Sequence, residues 1–265
     1  MSIQYEDLML SISDGVEIHA LHGRHPEGGG RPTLVFLHEA LGHIRMWKQF
    51  PEQLAERCGC DLLIYERQGY GGSTPIELPR SNDYLLVEGE YYLAKVTEAA
   101  AIDQMILIGH SDGGSIALLG AACLGDRVRG LITEAAHINA DELTLAGVRQ
   151  AVDTYRNTDL HQRLERYHGD RTELLFRAWT ETWLRESFHQ NIDLSPWLSQ
   201  IRCPALIMQG RDDQYGLPQQ VEDICQGIGE HAQAAFIEEC GHIPHLERPD
   251  AVLDLMVPFI RELID

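Results

Sequence analysis

Gly109-His110-Ser111-Asp112-Gly113 matches the pattern G-x-S-x-G. It follows the apolar run 105–108 (MILI) and precedes a helical stretch spanning 114–124. That context is what a nucleophile elbow needs: a sharp, strained strand-to-helix turn that presents a serine hydroxyl, with glycines where side chains would clash. A hydroxyl at such a turn attacks electrophilic carbon only with a base beside it and a third group to orient the base. Two later segments carry such groups. Gly210-Arg211-Asp212-Asp213 follows the run 205–208 (ALIM), and Gly241-His242 follows the run 234–237. Ser, Asp and His thus each come just after a strand-like run, at the edge where parallel sheets carry their sites.

The elements that must position them alternate along the chain. The runs 33–37 (TLVFL), 62–65 (LLIY), 105–108, 131–133 and 205–208 have strand length and sit next to Gly, Pro or Asp. Unbroken apolar runs suit strands buried on both faces of a parallel sheet. Helical spacing occupies 46–57, 84–99 and 114–124, so the alternation predicts an α/β fold with right-handed crossovers. The stretches 8–12 and 16–21 alternate polar and apolar residues instead, as edge strands of a hairpin would, with Asp14-Gly15 at the turn. From 137 to 203 no strand-like run appears. This is far longer than the ~2–6 residue connections usual between such units. Its pattern is helical over 141–157, 160–167 and 171–188, and it reads as an inserted helical cap (137–203) on a core formed by 1–136 and 204–265. Leu175, Phe176, Trp179 and Trp183 share one helical face. That stripe packs the cap onto the core, lines an apolar substrate pocket, or does both.

Composition narrows the class. The chain of 265 residues has 21 Lys+Arg against 41 Asp+Glu, a formal net charge of −20. Nucleic-acid binding needs a basic footprint, and anionic membranes need a polybasic patch; neither is present. Hydrophobic residues at 44% and charged residues at 23% are ordinary for a globular protein. No apolar run approaches the ~18 residues of a membrane span, and no basic head with an apolar run marks a secretory signal. A cytoplasmic enzyme with reduced thiols is expected. The six cysteines form no paired framework, and a lone C-x-C at Cys58-Gly-Cys60 is a weak metal or redox signal. His19, His22 and His25 recur every third residue, which on a strand puts His19 and His22 on opposite faces and argues against a metal site. In His242-Ile243-Pro244-His245 the proline prevents one helical face, so zinc is not expected there either.

The segments LVFLHEALG, YERQGYGGS, LIGHSDGGSIAL, LIMQGRDDQYGLP and ECGHIPHLERP resemble the α/β-hydrolase superfamily over nearly the whole chain. The chain order Ser…Asp…His is that of the same superfamily. The resemblance implies an eight-stranded, mostly parallel sheet flanked by helices. It implies Ser111 as nucleophile, His242 as general base, Asp213 as the orienting acid, and oxyanion donors at the backbone N–H groups of Ala40 and Asp112. It implies no metal and no organic cofactor, and a small-molecule substrate. The expected activity is hydrolysis of a carboxylic ester or lactone through an acyl-enzyme. A carbon–carbon bond hydrolase or a thioesterase would use the same triad. A cofactor-free dioxygenase would need His242 but not Ser111, and a ligand receptor on this fold would turn over slowly. A serine at the elbow excludes the dehalogenase and epoxide-hydrolase relatives, which attack with a carboxylate.

Spacing favours Asp213 over Asp212. Glu134 is a second contender for the acid, since some relatives draw it from that strand's end; otherwise it is a hydrogen-bonded carboxylate near the cap hinge. Three positions depart from the family pattern. His38-Glu39 stands where His-Gly is usual, which puts a carboxylate near the oxyanion hole. Glu66 replaces an Asp and reads as structural. Asp112 follows the nucleophile, where only its N–H is needed; its side chain is either solvated or at the helix N-terminus. With Glu39 and Asp112 at the mouth, a cleft would focus the negative field against anionic substrates; spread evenly, the same acidic residues would only keep the protein soluble. Arg149, Arg163 and Arg177 are the cap residues that could form a basic wall instead. His38 is expected to hold loop geometry by hydrogen bonding, and His110 to pack in the core.

Overall fold

The computed structural model describes residues 3–13 and 15–264. Among them eight strands form one sheet, in the order β1-β2-β4-β3-β5-β6-β7-β8. These are β1 (Gln4–Ser13), β2 (Val16–Arg24), β3 (Thr33–Leu37), β4 (Leu62–Tyr65), β5 (Met105–His110), β6 (Val128–Glu134), β7 (Ala205–Gly210) and β8 (Ala232–Ile237). β1, β2 and β4 pair antiparallel, and every other pairing is parallel. This is the expected α/β-hydrolase architecture. Of the expected hairpin turn, Asp14 lies outside the described residues. β2 is paired on both sides, so only β1 of the two is an edge strand.

The central strands feed two cores by alternation. Val35, Leu37, Met105 and Leu107 point into one, and Leu34, Phe36, Ile106 and Ile108 into the other. A two-residue period across a fully buried sheet leaves both faces apolar, which is why these strands read as unbroken runs.

The helices differ from the sequence expectation in instructive ways. The predicted helix 46–57 is split: a 3-10 turn covers Ile44–Trp47, Lys48 takes φ 54°, and α1 restarts at Phe50–Cys58 with Pro51 in its first turn. Proline suits that position because its missing N–H has no intrahelical partner there anyway. The stretch 84–99 is α2 (Tyr84–Val87), a π-type turn (Glu88–Tyr92) and α3 (Leu93–Ala99) in succession. α4 (Asp112–Leu124) begins directly after Ser111.

Between β6 and β7 lie α5 (Glu142–Asn157), α6 (Leu160–His168), α7 (Thr172–Trp183), α8 (Glu186–His189) and α9 (Ser195–Leu198). The predicted helix 171–188 therefore breaks after Trp183. Further on come α10 (Gln219–Ile228), α11 (Pro244–Glu247) and α12 (Pro249–Ile264). No helix among the described residues is long and apolar enough to cross a membrane.

The helices between β6 and β7 are tied to the core by polar contacts as well as packing. Arg171 donates to the carbonyls of Gly69 (3.1 Å), Ser73 (2.7 Å) and Gly71. Trp183 Nε1–H donates to Tyr84 Oη at 2.9 Å, and His168 Nε2 lies 3.0 Å from the Leu41 carbonyl. Hydrogen bonds from a charged donor contribute about 1.5–3 kcal/mol. Replacing Arg171 with Met should therefore lower the unfolding free energy by about 1.5–3 kcal/mol. In limited proteolysis, cleavage should rise first within 158–190.

Candidate active site

The elbow is built by close backbone crossing. Ser111 adopts φ 53°, ψ −120°, a region that costs a non-glycine residue energy and persists only when its surroundings impose it. Its N–H donates to the Glu134 carbonyl at 2.8 Å, which fastens the turn to β6. A Cβ on Gly109 would stand 2.1 Å from the Gly113 carbonyl oxygen, and one on Gly113 would stand 2.0 Å from that of Leu37. Only glycine fits at either place.

Ser111 Oγ lies 3.0 Å from His242 Nε2, and His242 Nδ1 lies 2.9 and 3.0 Å from the two Asp213 oxygens. The three expected residues thus meet in one hydrogen-bonded line. Tyr215 N–H also donates to Asp213 Oδ1 at 2.8 Å. Burial opposes the charge on Asp213, but these hydrogen bonds and the nearby histidines hold its carboxyl below the usual Asp range. Burial likewise depresses the His242 pKa; Asp213 pulls it upward, His110 and His137 push it down, and the sum is a value below 6.5. An imidazole neutral at pH 7 has a free Nε2 lone pair for the serine proton. Asp212 is exposed. Glu134 instead holds His245, with Oε2 at 2.7 Å from Nδ1 and 3.2 Å from the backbone N–H.

The residues of the two expected oxyanion amides, Ala40 and Asp112, both line the cavity with Ser111. The Glu39 carbonyl accepts from His38 Nδ1 (2.7 Å), Arg67 Nη2 (2.9 Å) and Gly42 N–H (3.0 Å). In a trans peptide the N–H points opposite to the C=O, so these donors turn the Ala40 N–H the other way. Ala40 also lines the cavity over Ser111. Asp112 N–H is the first amide of α4, among the four that a helix leaves without an internal acceptor. His38 has the role expected of it: Nδ1 donates to the Glu39 carbonyl while Nε2 accepts from Arg67 N–H at 3.1 Å. That pattern requires the neutral ring, and burial beside Arg67 puts its pKa well below 6.5.

Arg67 had no signal beyond its place in YERQGYGGS. It is fully buried, bonds the Glu39 carbonyl, lies 3.6 Å from Asp112 Oδ2, and stacks on Tyr70. Asp112 is not solvated at the mouth, as one expectation had it. It is 2% exposed in the first turn of α4, where Tyr84 Oη–H donates to it at 2.9 Å. Glu39 is not a free charge either, since its Oε2 lies 3.5 Å from His110 Nδ1. His110 is buried as expected, but it also lines the cavity. Glu66 is structural: it accepts from His19 Nδ1 (2.7 Å) and Gly72 N–H (2.7 Å) and lies 3.0 Å from His43 Nε2.

The cavity holds about 210 Å³. Its polar lining includes Ser111, Asp112, His242, His110 and Glu39, together with His137, Thr144 and Tyr215. Its walls are apolar: Leu41 and Ile243 from the core side, Val148, Ala151 and Leu160 from α5 and α6, and Trp179 and Trp183 from α7. The aromatic stripe therefore serves both purposes: Leu175 and Phe176 are buried in packing, and the two tryptophans face the cavity. No lysine or arginine lines it among the described residues. Arg149, Arg163 and Arg177 are exposed, the last two paired with Asp159 and Glu181. Among the described residues no cluster of His, Cys, Asp and Glu has a metal-binding arrangement. Burial pushes the thiols of Cys58 and Cys60 up to about 12 and about 11, far from thiolates.

This sheet, elbow and cavity are those of a hydrolase of the α/β class. The chain belongs to the alpha/beta hydrolase family, whose model matches residues 28–255. It is 27% identical to a 2-succinyl-6-hydroxy-2,4-cyclohexadiene-1-carboxylate synthase of Salmonella paratyphi C, over 91% of this chain and 99% of that one. Among solved structures it resembles the enol-lactonase of Burkholderia xenovorans LB400, with a TM-score of 0.74 and 19% identity over 95% of this chain and 99% of that one. It also resembles the 2-hydroxy-6-oxo-6-phenylhexa-2,4-dienoate hydrolase of Rhodococcus sp. strain RHA1, with a TM-score of 0.75 and 16% identity over 98% and 100%. These two likenesses concern the fold.

The electrostatics of His242 give a measurable expectation. Its imidazole should titrate below 6.5 by NMR, and Asp213→Asn should lower the midpoint further by removing the one strong influence that raises it. A midpoint that rises in Asp213→Asn would contradict this balance of charges.

Proposed function

We propose that this hydrolase cleaves a small, neutral carboxylic ester or lactone through an acyl-enzyme on Ser111. The observation that carries the reading is the line of hydrogen bonds from Ser111 Oγ through His242 to Asp213. His242 Nε2 takes the hydroxyl proton as Oγ bonds to the acyl carbon. Asp213 keeps Nδ1 protonated and stabilises the imidazolium. The amides of Ala40 and Asp112 receive the oxyanion, each worth roughly 2.7–4 kcal/mol in the transition state. The imidazolium then protonates the departing alkoxide. Water, deprotonated by His242, attacks the acyl-enzyme and releases the acid. Residues 137–203 act as a cap on the core of 1–136 and 204–265, excluding bulk water from the acyl-enzyme.

The cavity supports a neutral substrate. The product named for the 27% identical relative bears a ring carboxylate and a succinyl group. Burying such anions calls for cationic partners, and among the described residues no lysine or arginine lines this cavity. The same absence counts against coenzyme A thioesters and against anionic diketones as carbon–carbon cleavage substrates. The cavity's small volume favours a short acyl or alcohol part.

Ser111→Ala should lower kcat by about 10⁴–10⁶-fold with little change in melting temperature. A fluorophosphonate should label the wild type and not this variant; labelling at another residue, or unchanged turnover, would sink the reading. Asp213→Asn should cost about 10³–10⁴-fold, and Glu134→Gln much less. A neutral ester should exceed its analogue with a remote carboxylate by at least about tenfold in kcat/KM, a difference of about 1.4 kcal/mol.

A further inference from the structure

We propose that Glu39 and His110 form a carboxylate–imidazolium pair at the edge of the cavity that fixes the His242 loop and cancels the charge Glu39 would set beside the oxyanion site. His110 is thus a positioning residue and Glu39 its counter-ion. The inference rests on the acyl-transfer reading above.

The geometry places His110 between three loops. It immediately precedes Ser111 and is 1% exposed. Its Nε2–H donates to the backbone carbonyl of His242 at 2.7 Å, so that nitrogen carries a proton. Its Nδ1 faces Glu39 Oε2 at 3.5 Å. One ring therefore links the loop after β3, the elbow and the loop that carries the general base. The Glu39 side chain is 24% exposed and lines the same cavity as Ser111, one residue from the Ala40 amide. An uncompensated carboxylate there would repel the oxyanion, because charges act strongly where water is excluded. The usual glycine at this position would raise no such problem, so the departure at Glu39 and the protonated His110 explain each other.

Several other groups face the pair. Glu134 on β6 adds to the negative field at His110, and the rings of His242 and His245 lie 5.1 and 5.2 Å from it. His38 is next to Glu39, and His168 on α6 feels its charge. Burial opposes charge on both partners. The pairing outweighs it, holding the Glu39 carboxyl far below the usual range and raising His110 above 6.5.

The consequence has a definite sign. Below the raised pKa of His110 the pair is neutral overall. As pH climbs through that value, Nδ1 loses its proton while Nε2–H stays on the His242 carbonyl. Glu39 remains ionised, and a net negative charge then adjoins the oxyanion site. Hydrolysis should therefore fall on the alkaline side, whereas a site with only Ser111, His242 and Asp213 would stay level once His242 is neutral.

The test follows kcat and KM for a neutral p-nitrophenyl ester against pH in the wild type, Glu39→Gln, His110→Gln and the double variant. Folding is checked by thermal melting, and Ser111 acylation by fluorophosphonate labelling. The wild type should show the alkaline fall, and Glu39→Gln should lack it. His110→Gln should lose about 10–100-fold in kcat with KM nearly constant, and adding Glu39→Gln should restore most of that loss. A role in packing alone would not be rescued by a second substitution.

The proposal is overturned if Glu39→Gln keeps the alkaline fall, or if the double variant is no faster than His110→Gln. Should His110→Gln not fold, the Glu39→Gln profile still decides. Should the wild type never be acylated at Ser111, the acyl-transfer reading fails instead. The pairing itself is then judged by NMR: the His110 midpoint must drop in Glu39→Gln, and an unmoved midpoint rejects the pair.

Discussion

The site depends on how closely the backbone after β5 crosses that after β3. Gly113 passes the Leu37 carbonyl, and Gly109 passes Gly113, at distances no side chain tolerates. This approach throws Ser111 into positive φ and lifts its hydroxyl above the sheet edge. The strain is held by the Ser111 N–H bond to the Glu134 carbonyl and by the burial of α4 along most of its length. A looser crossing would relax the serine into ordinary backbone geometry and take Oγ out of reach of His242. The Ser111 hydroxyl, the Asp112 amide and the floor of the cavity take their positions from this one turn.

Around the turn the protein buries charged side chains. Arg67 lies against both the Glu39 carbonyl and the Asp112 carboxylate, and so braces the loop after β3 against the first turn of α4. Tyr84 connects Asp112 to Trp183, which carries the brace outward into the helices over the cavity. Breaking a buried pair by removing one partner costs about 3–5 kcal/mol, far more than the pair contributes over an apolar substitute. Such a network adds little to stability but penalises any displacement of its members. That property suits a site in which tenths of an ångström set the oxyanion geometry.

The helices between β6 and β7 roof the cavity over Ser111. They supply the cavity with Trp179, Trp183, Val148 and Leu160 and with no cation. Their contacts to the core run through Arg171 to 69–73 and through His168 to Leu41, so the roof is tied to the same loops that shape the floor. The formal net charge is −20, with 21 Lys+Arg against 41 Asp+Glu.

Much of this was written locally in the chain. The five residues of the elbow, the unbroken apolar strands and the long strandless interval are each set by neighbours in sequence, so periodicity and glycine spacing expose them. The helix Pro249–Ile264, which the sequence reading does not name, buries Val252, Leu253, Met256, Phe259 and Ile260 at three- and four-residue intervals, a period set by sequence neighbours in the same way. The breaks after Trp47 and Trp183 were not legible, because turn geometry there answers to packing. Nor could spacing alone decide which carboxylate meets which histidine. Asp213 and His242 are 29 residues apart, Glu134 and His245 are 111 apart, and both pairs close only when β6, β7 and the loop after β8 align at one sheet edge. The inward turn of Asp112, the brace at Arg67 and the pairing of Glu39 with His110 belong to the tertiary structure for the same reason. A buried charge takes its meaning from partners that the fold brings to it, and sequence neighbours do not name them.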